Sequence, residues 1–168
     1  MKKRFVIFTL MLMAAVGMQA QSLIGSWKTV MTEDGEKMDM YFIFKQSTFT
    51  IKGIISQADP EVGTFTASVL LPGTYTRSGN TLNLKTNPEQ ADLHLDKMDF
   101  NDEVTKALNE MPEMKKTINE MVEKSLNEGK AELAKSLAME GEVTIESLTD
   151  TELILVDDDQ RVTFTRVR

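Results

Sequence analysis

The stretch MDMYFIFKQSTFTIKGII, Met38 to Ile55, decides the fold. Met38, Met40, Phe42 and Phe44 alternate with Asp39, Tyr41, Ile43 and Lys45, and Gln46-Ser47 then turns the chain. Successive side chains of a strand point to opposite faces, so this alternation buries one face and wets the other. Beyond the turn, Phe49 and Ile51 oppose Thr48, Thr50 and Lys52. Two such runs around a short polar turn read as an antiparallel hairpin with its apolar face inward.

The pattern continues on both sides. Leu23 to Val30 is a first strand, and Asp34-Gly35 is a tight-turn signal because both central positions of that turn need positive φ. Downstream, Asp59-Pro60 breaks the alternation, and Val62 to Leu71 resumes it with Phe65, Ala67 and Val69 opposing Thr64, Thr66 and Ser68. Pro72-Gly73 bends or ends that strand. Thr74 to Arg77 leads into Ser78-Gly79-Asn80, and Thr81 to Lys85 carries Leu82 and Leu84 on one face. Leu93-His94-Leu95 adds a short further alternation. Near the C-terminus, Val143 to Leu148, Glu152 to Val156 and Arg161 to Val167 form a meander, turning at Thr149-Asp150 and Asp157-Asp158-Asp159. Eight or nine short strands at regular spacing predict a barrel or a sandwich.

Between about residues 101 and 140 the period changes. Glu, Lys, Leu, Met and Ala replace the β-formers, and Val104, Leu108, Met111, Met114, Ile118, Met121, Val122 and Leu126 recur every three or four residues. Asp99, Asn101 or Asp102 can cap the start. A single helix of this length would run about 60 Å, against a radius of gyration near 15 Å for such a domain. Two or three segments are therefore expected, breaking near Pro112 and Gly129, with Gly141 ending the last.

The first residues read as a targeting segment. Lys2, Lys3 and Arg4 precede an uncharged run, Phe5 to Met18, too short for the roughly 20 apolar residues of a membrane span. Residues 1–20 are thus expected to be a signal peptide, leaving residues 21–168 as one domain in the periplasm or outside the cell. With no Cys, no disulfide is expected, and the chain is not expected to be a bacterial lipoprotein. Removing the signal leaves 16 of the 19 Lys and Arg against 26 acids, a net charge of −10. That charge argues against nucleic acid and anionic membranes as partners.

Three stretches resemble the small secreted bacterial lipocalin-like families. Gly25-Ser26-Trp27 resembles the Gly-x-Trp that opens the first lipocalin strand. Phe42 to Phe49 resembles their second hairpin, and Gly73 to Leu82 a later one. The hairpin at Leu148 to Leu153 and the strand ending at Arg166 also fit, so the resemblance covers a little over half of the chain. It implies that Trp27 closes the barrel floor under an Arg of the last strand, Arg166 or its rival Arg161. The Thr-Asp-Tyr motif of larger lipocalins is absent, and the helical stretch precedes the last three strands instead of following the barrel.

Few residues carry chemistry. His94 is the one His and there is no Cys, which excludes Cys-His catalysis and the common Cys/His zinc sites. No Gly-x-Ser-x-Gly elbow occurs, and Asp157-Asp158-Asp159 lacks the alternate spacing and Gly bend of a calcium loop. His94 reads as a strand or surface residue, and the acidic run as a solvated hairpin tip. No metal, cofactor or catalytic residue is expected.

The fold class expected is mainly β with an α insertion: an antiparallel, lipocalin-like barrel of eight or nine strands, with the helices before the last three. The function expected is binding of a small apolar molecule inside the barrel, without chemistry. Met40, Phe42, Phe44, Phe49, Ile51, Phe65 and Tyr75 are the candidate lining. The alternative is an envelope interaction module with a filled barrel, in which the helical stripe of Met111, Met114 and Met121 meets another protein.

Overall fold

A computed structural model describes residues 22–33, 36–158 and 160–168. Residues 1–21, which hold the expected signal peptide, Asp34-Gly35 with its turn signal, and Asp159 lie outside the described residues. The elements, in chain order, are β1 (Gly25–Glu33), β2 (Glu36–Phe44), β3 (Thr48–Asp59), β4 (Gly63–Ser78), β5 (Thr81–Thr86), a 3-10 turn (Pro88–Gln90), β6 (Asp92–Phe100), α1 (Asp102–Glu110), α2 (Pro112–Ser136), β7 (Glu140–Leu148), β8 (Glu152–Asp157) and β9 (Gln160–Val167).

All strand pairings are antiparallel, and eight strands close a ring in the order β1-β2-β3-β4-β5-β7-β8-β9, with β9 returning to β1 through Ser26↔Val167 to Lys28↔Thr165. The expected barrel is therefore present, with two helices inserted before its last three strands. The inner face follows the alternation read from sequence: Trp27, Phe42, Phe44, Phe49, Ile51, Leu71, Leu82, Leu84, Leu153 and Phe164 form one buried core.

The ninth strand, β6, lies outside the ring. The β3–β4 hairpin runs beyond the barrel, paired from Thr48↔Thr74 to Asp59↔Gly63, and β6 pairs with its protruding half, Gly63 to Leu70. From Gly73 onward the same edge of β4 pairs with β5 instead. This changeover explains why Pro72-Gly73 does not end β4, which runs on through both residues. The Pro72 carbonyl accepts from the Asn87 N–H at 2.8 Å. In an extended residue the N–H and C=O share one side, so the donor that proline lacks faces the gap between β6 and β5, where no ladder bond is lost. A Cβ on Gly73 would lie 2.6 Å from the Phe49 ring and 2.7 Å from the Lys85 carbonyl oxygen, so only glycine allows strand and ring to approach.

The turns follow from their side chains. The Asp59 carboxylate accepts from the N–H groups of Glu61 and Val62, fixing the β3–β4 turn. Asn101 caps α1 by accepting from the Val104 N–H, while its amide donates to the Glu61 carbonyl at 2.6 Å, tying the helix start to that turn.

The helical stretch breaks once. Pro112 opens α2, as expected, but α2 continues through Gly129 for 25 residues, about 37 Å. A mid-helix glycine costs only about 1 kcal/mol, and Gly129 is exposed, so nothing forces a stop there. The long rod stays against the body of the protein because it lies along β6 and the 3-10 turn. Gly141 does not end a helix: α2 stops at Ser136, and Gly141 pairs with Leu84 inside β7.

The insertion leaves and re-enters the barrel at one point. Strands β5 and β7 are neighbours, joined through Lys85↔Glu140. One step further along, the Thr86 N–H donates to the Met139 carbonyl at 2.9 Å, and the buried Thr86 hydroxyl bonds both the N–H and the carbonyl of Met139.

Candidate functional site

The two ends of the barrel differ. At the floor, Trp27 is fully buried and its Nε1 donates to the Leu23 carbonyl at 2.8 Å. The Arg166 guanidinium lies 4.2 Å from the centre of the Trp27 ring. Its Nη1 and Nη2 donate to the carbonyls of Ile24 and Ser22, at 3.1 and 2.6 Å. Arg161, the other candidate, pairs with Glu146 on the outside. Gly25 has φ +138°, and a Cβ there would sit 2.8 Å from Arg166 Nη1. The glycine of Gly25-Ser26-Trp27 thus leaves room for the guanidinium.

Above the floor the interior is filled by rings. Phe44 and Phe49 stack with centroids 5.8 Å apart, Phe42 meets Phe164 edge-on at 5.0 Å, and Tyr75 meets Phe44 edge-on at 5.2 Å. The Tyr75 hydroxyl donates to the Lys45 carbonyl at 2.6 Å. Burial raises the Tyr75 pKa, and the Arg77 charge opposes that rise. Phe44, Phe49 and Ile51 therefore pack the floor solidly and line no space.

The mouth end is hollow. A cavity of about 300 Å³ lies among Met31, Met40, Phe42, Leu155, Val162 and Phe164, with Thr29, Asp157 and Gln160 among the polar groups of its wall. Leu137, Ala138 and Met139, the link from α2 to β7, form the covering side. Leu137 reaches over Gly53, where an added Cβ would lie 4.0 Å from its methyl and 3.0 Å from Val69. Met31 and Val162 are 47% and 36% exposed, which leaves the cavity open between them.

Of the seven residues proposed as lining, Met40 and Phe42 reach this cavity. Phe44, Phe49 and Ile51 belong to the floor packing, and Tyr75 to its edge. Phe65 lies on the flared hairpin, edge-on to Phe100 at 6.2 Å, away from the cavity. The sequence reading missed Met31, Met139, Val143, Leu155, Val162 and Phe164. A signal for three of them was present: Val162 and Phe164 share the phase of Arg166 along β9, and Leu155 shares that of Leu153 along β8.

Elsewhere, a surface cleft of about 510 Å³ separates α1 from α2 and one of about 400 Å³ separates α2 from β6, with Lys115, Lys116, Glu120 and Glu123 prominent in the first. Charged, open clefts of this kind hold apolar ligands poorly. His94 is exposed beside the Asp92 carboxylate at 2.9 Å, on a strand outside the ring. Among the described residues no His, Cys, Asp and Glu cluster has the makings of a metal site, and no helix is long and apolar enough to cross a membrane.

No family model matches the chain, and no curated protein matches it. Among solved structures it is similar to the crystal structure, at 2.60 Å resolution, of an uncharacterized protein from Bacteroides eggerthii. The two share 13% identity over 87% of this chain and all of that one, with a TM-score of 0.40.

Proposed function

We propose that this is an exported, lipocalin-like protein that holds a small apolar molecule at the mouth of its barrel and performs no chemical step. The mouth cavity carries the reading. Its wall is mainly Met, Leu, Val and Phe, so a ligand entering it exchanges water for apolar contact. A 150 Å³ apolar cavity holds benzene, so about 300 Å³ accommodates roughly a dozen heavy atoms. That suits a short alkyl chain or a fused bicyclic ring and excludes a two-tailed lipid. The closed ring and Arg166 over Trp27 support the lipocalin-like assignment. The charged start and apolar run of residues 1–20 support export.

The test is titration of the monomer with a neutral naphthylamine dye. A saturable fluorescence rise is expected, and it should vanish in Val162→Trp, where an indole at the exposed rim blocks entry while the circular dichroism spectrum stays unchanged. A rise that never saturates, or one that Val162→Trp leaves intact, rules the cavity out as the site.

One observation favours a second reading, a protein partner in the envelope. Met111, Met114 and Met121 are exposed, Met121 by 63%, along one side of the helical pair. Sizing in an envelope extract would then show a larger species that disappears in Met114→Glu/Ile118→Glu.

A further inference from the structure

The polar groups at the cavity rim point to the chemical class of its ligand; this inference rests on the binding reading above. Strand β8 alternates Leu153, Leu155 and Asp157 on its inner face, so the last inward position before the hairpin tip is a carboxylate. Across the β8–β9 turn its register partner is Gln160, whose amide also borders the cavity. The remaining polar wall groups are the hydroxyls of Thr29 and Ser136. No Lys, Arg or His belongs to the wall. Among the described residues no cation pairs with Asp157: the ion pairs of the strands are Lys28–Asp39, Lys85–Glu140, Lys97–Asp99, Arg161–Glu146 and His94–Asp92. An apolar chamber thus ends in an acidic, amide-bearing rim with no positive charge. Such a site sets an anionic head against a like charge and offers a cationic head an acceptor at the same depth.

We propose that the cavity selects single-chain or compact amphiphiles bearing a protonated amine, with the apolar part among Met40, Leu155 and Phe164 and the ammonium at Asp157. A carboxylate of the same chain length is discriminated against. Because the whole protein is acidic, it attracts cations weakly everywhere. The test therefore has to isolate the local contribution.

Isothermal titration calorimetry of residues 21–168 at pH 7 and about 0.15 M salt, where long-range attraction is screened, compares octylamine, octanoate and octan-1-ol. In the unmodified protein octylamine should bind about fivefold more tightly than octanoate, the size expected when one exposed ion pair replaces one like-charge contact. Asp157→Asn should bring the two within about twofold. If octan-1-ol saturates but octanoate binds as tightly as octylamine, or the amine preference survives Asp157→Asn, the head-group assignment falls and the apolar cavity stands. If none of the three saturates, the binding reading fails as well.

Discussion

The floor and the mouth of the barrel are built from the same strands with the same alternation, yet one is solid and the other is hollow. At the floor, the edge-to-face Phe44–Tyr75 pair, the stacked Phe44–Phe49 pair and the Trp27–Arg166 contact leave no room, and the backbone carbonyls of Ser22 and Ile24 are satisfied by the guanidinium. At the mouth, methionines and branched aliphatics of unequal reach surround a gap, and only the link from Leu137 to Met139 covers it. The contrast separates two roles that one apolar face can take. Side chains that interlock across the axis make stability, and side chains that fail to meet make a place for something else.

The largest test of this contrast is a pair of truncations. Phe44→Ala at the floor should cost about 4 kcal/mol, the transfer loss plus an unfilled void. Val162→Ala at the rim should cost less than about 1 kcal/mol, because that side chain already faces solvent and a gap. Urea unfolding followed by the fluorescence of Trp27 measures both, and equal costs would dissolve the distinction.

Two glycines sharpen it. Gly73→Ala drives a methyl against a backbone carbonyl and the Phe49 ring, and should cost about 2–3 kcal/mol. Gly53→Ala meets only side-chain atoms, a Val69 methyl at 3.0 Å and the Met38 sulfur at 3.2 Å, which can give where a backbone carbonyl cannot, and should cost about 1 kcal/mol. The reverse order in a thermal melt would locate the rigid end at the mouth.

The two arginines of β9 come next. Arg166→Met removes the cover over Trp27 and leaves two carbonyls without their donor, for about 2 kcal/mol. Arg161→Met breaks an exposed pair with Glu146 and should stay within about 0.5 kcal/mol.

The smallest effect is one of pH. The folded pKa of Tyr75 is raised above its unfolded value near 10. Its contribution is then fully present below about pH 10 and is lost as pH rises through the folded value. Denaturation midpoints should therefore fall in that alkaline range, and by less in Tyr75→Phe. An unchanged slope in that variant would show that the ring edge does not feel burial.

Much of this was legible in the chain, and the failures have physical causes. Period-2 alternation assigns a face, so the inner residues of β2 and β3 were readable from Met38 to Ile51. Alternation does not assign height along the axis. Phe65 has the inward phase of Val69 but sits on the part of β4 that has left the ring, and Phe44 has the phase of Met40 but lies among the floor rings. Height depends on register with distant strands, which only the closure of β9 on β1 sets. The break at Pro112 was visible because proline removes a donor, whereas Gly129 only weakens a helix that packing along β6 holds. The cavity wall from β8 and β9 was overlooked although its alternation was just as clear.

The Thr86–Met139 pairing has a consequence for how this molecule can vary. Fifty-two residues separate the two positions in sequence, yet they meet as consecutive residues of an ordinary hairpin would. The segment from 87 to 138 is thus an excursion with a common point of departure and return, and the ring closes whether it is long or short. Substitutions or length changes in that excursion can remodel the cover, and with it which guests are admitted, without disturbing the register that holds the vessel shut.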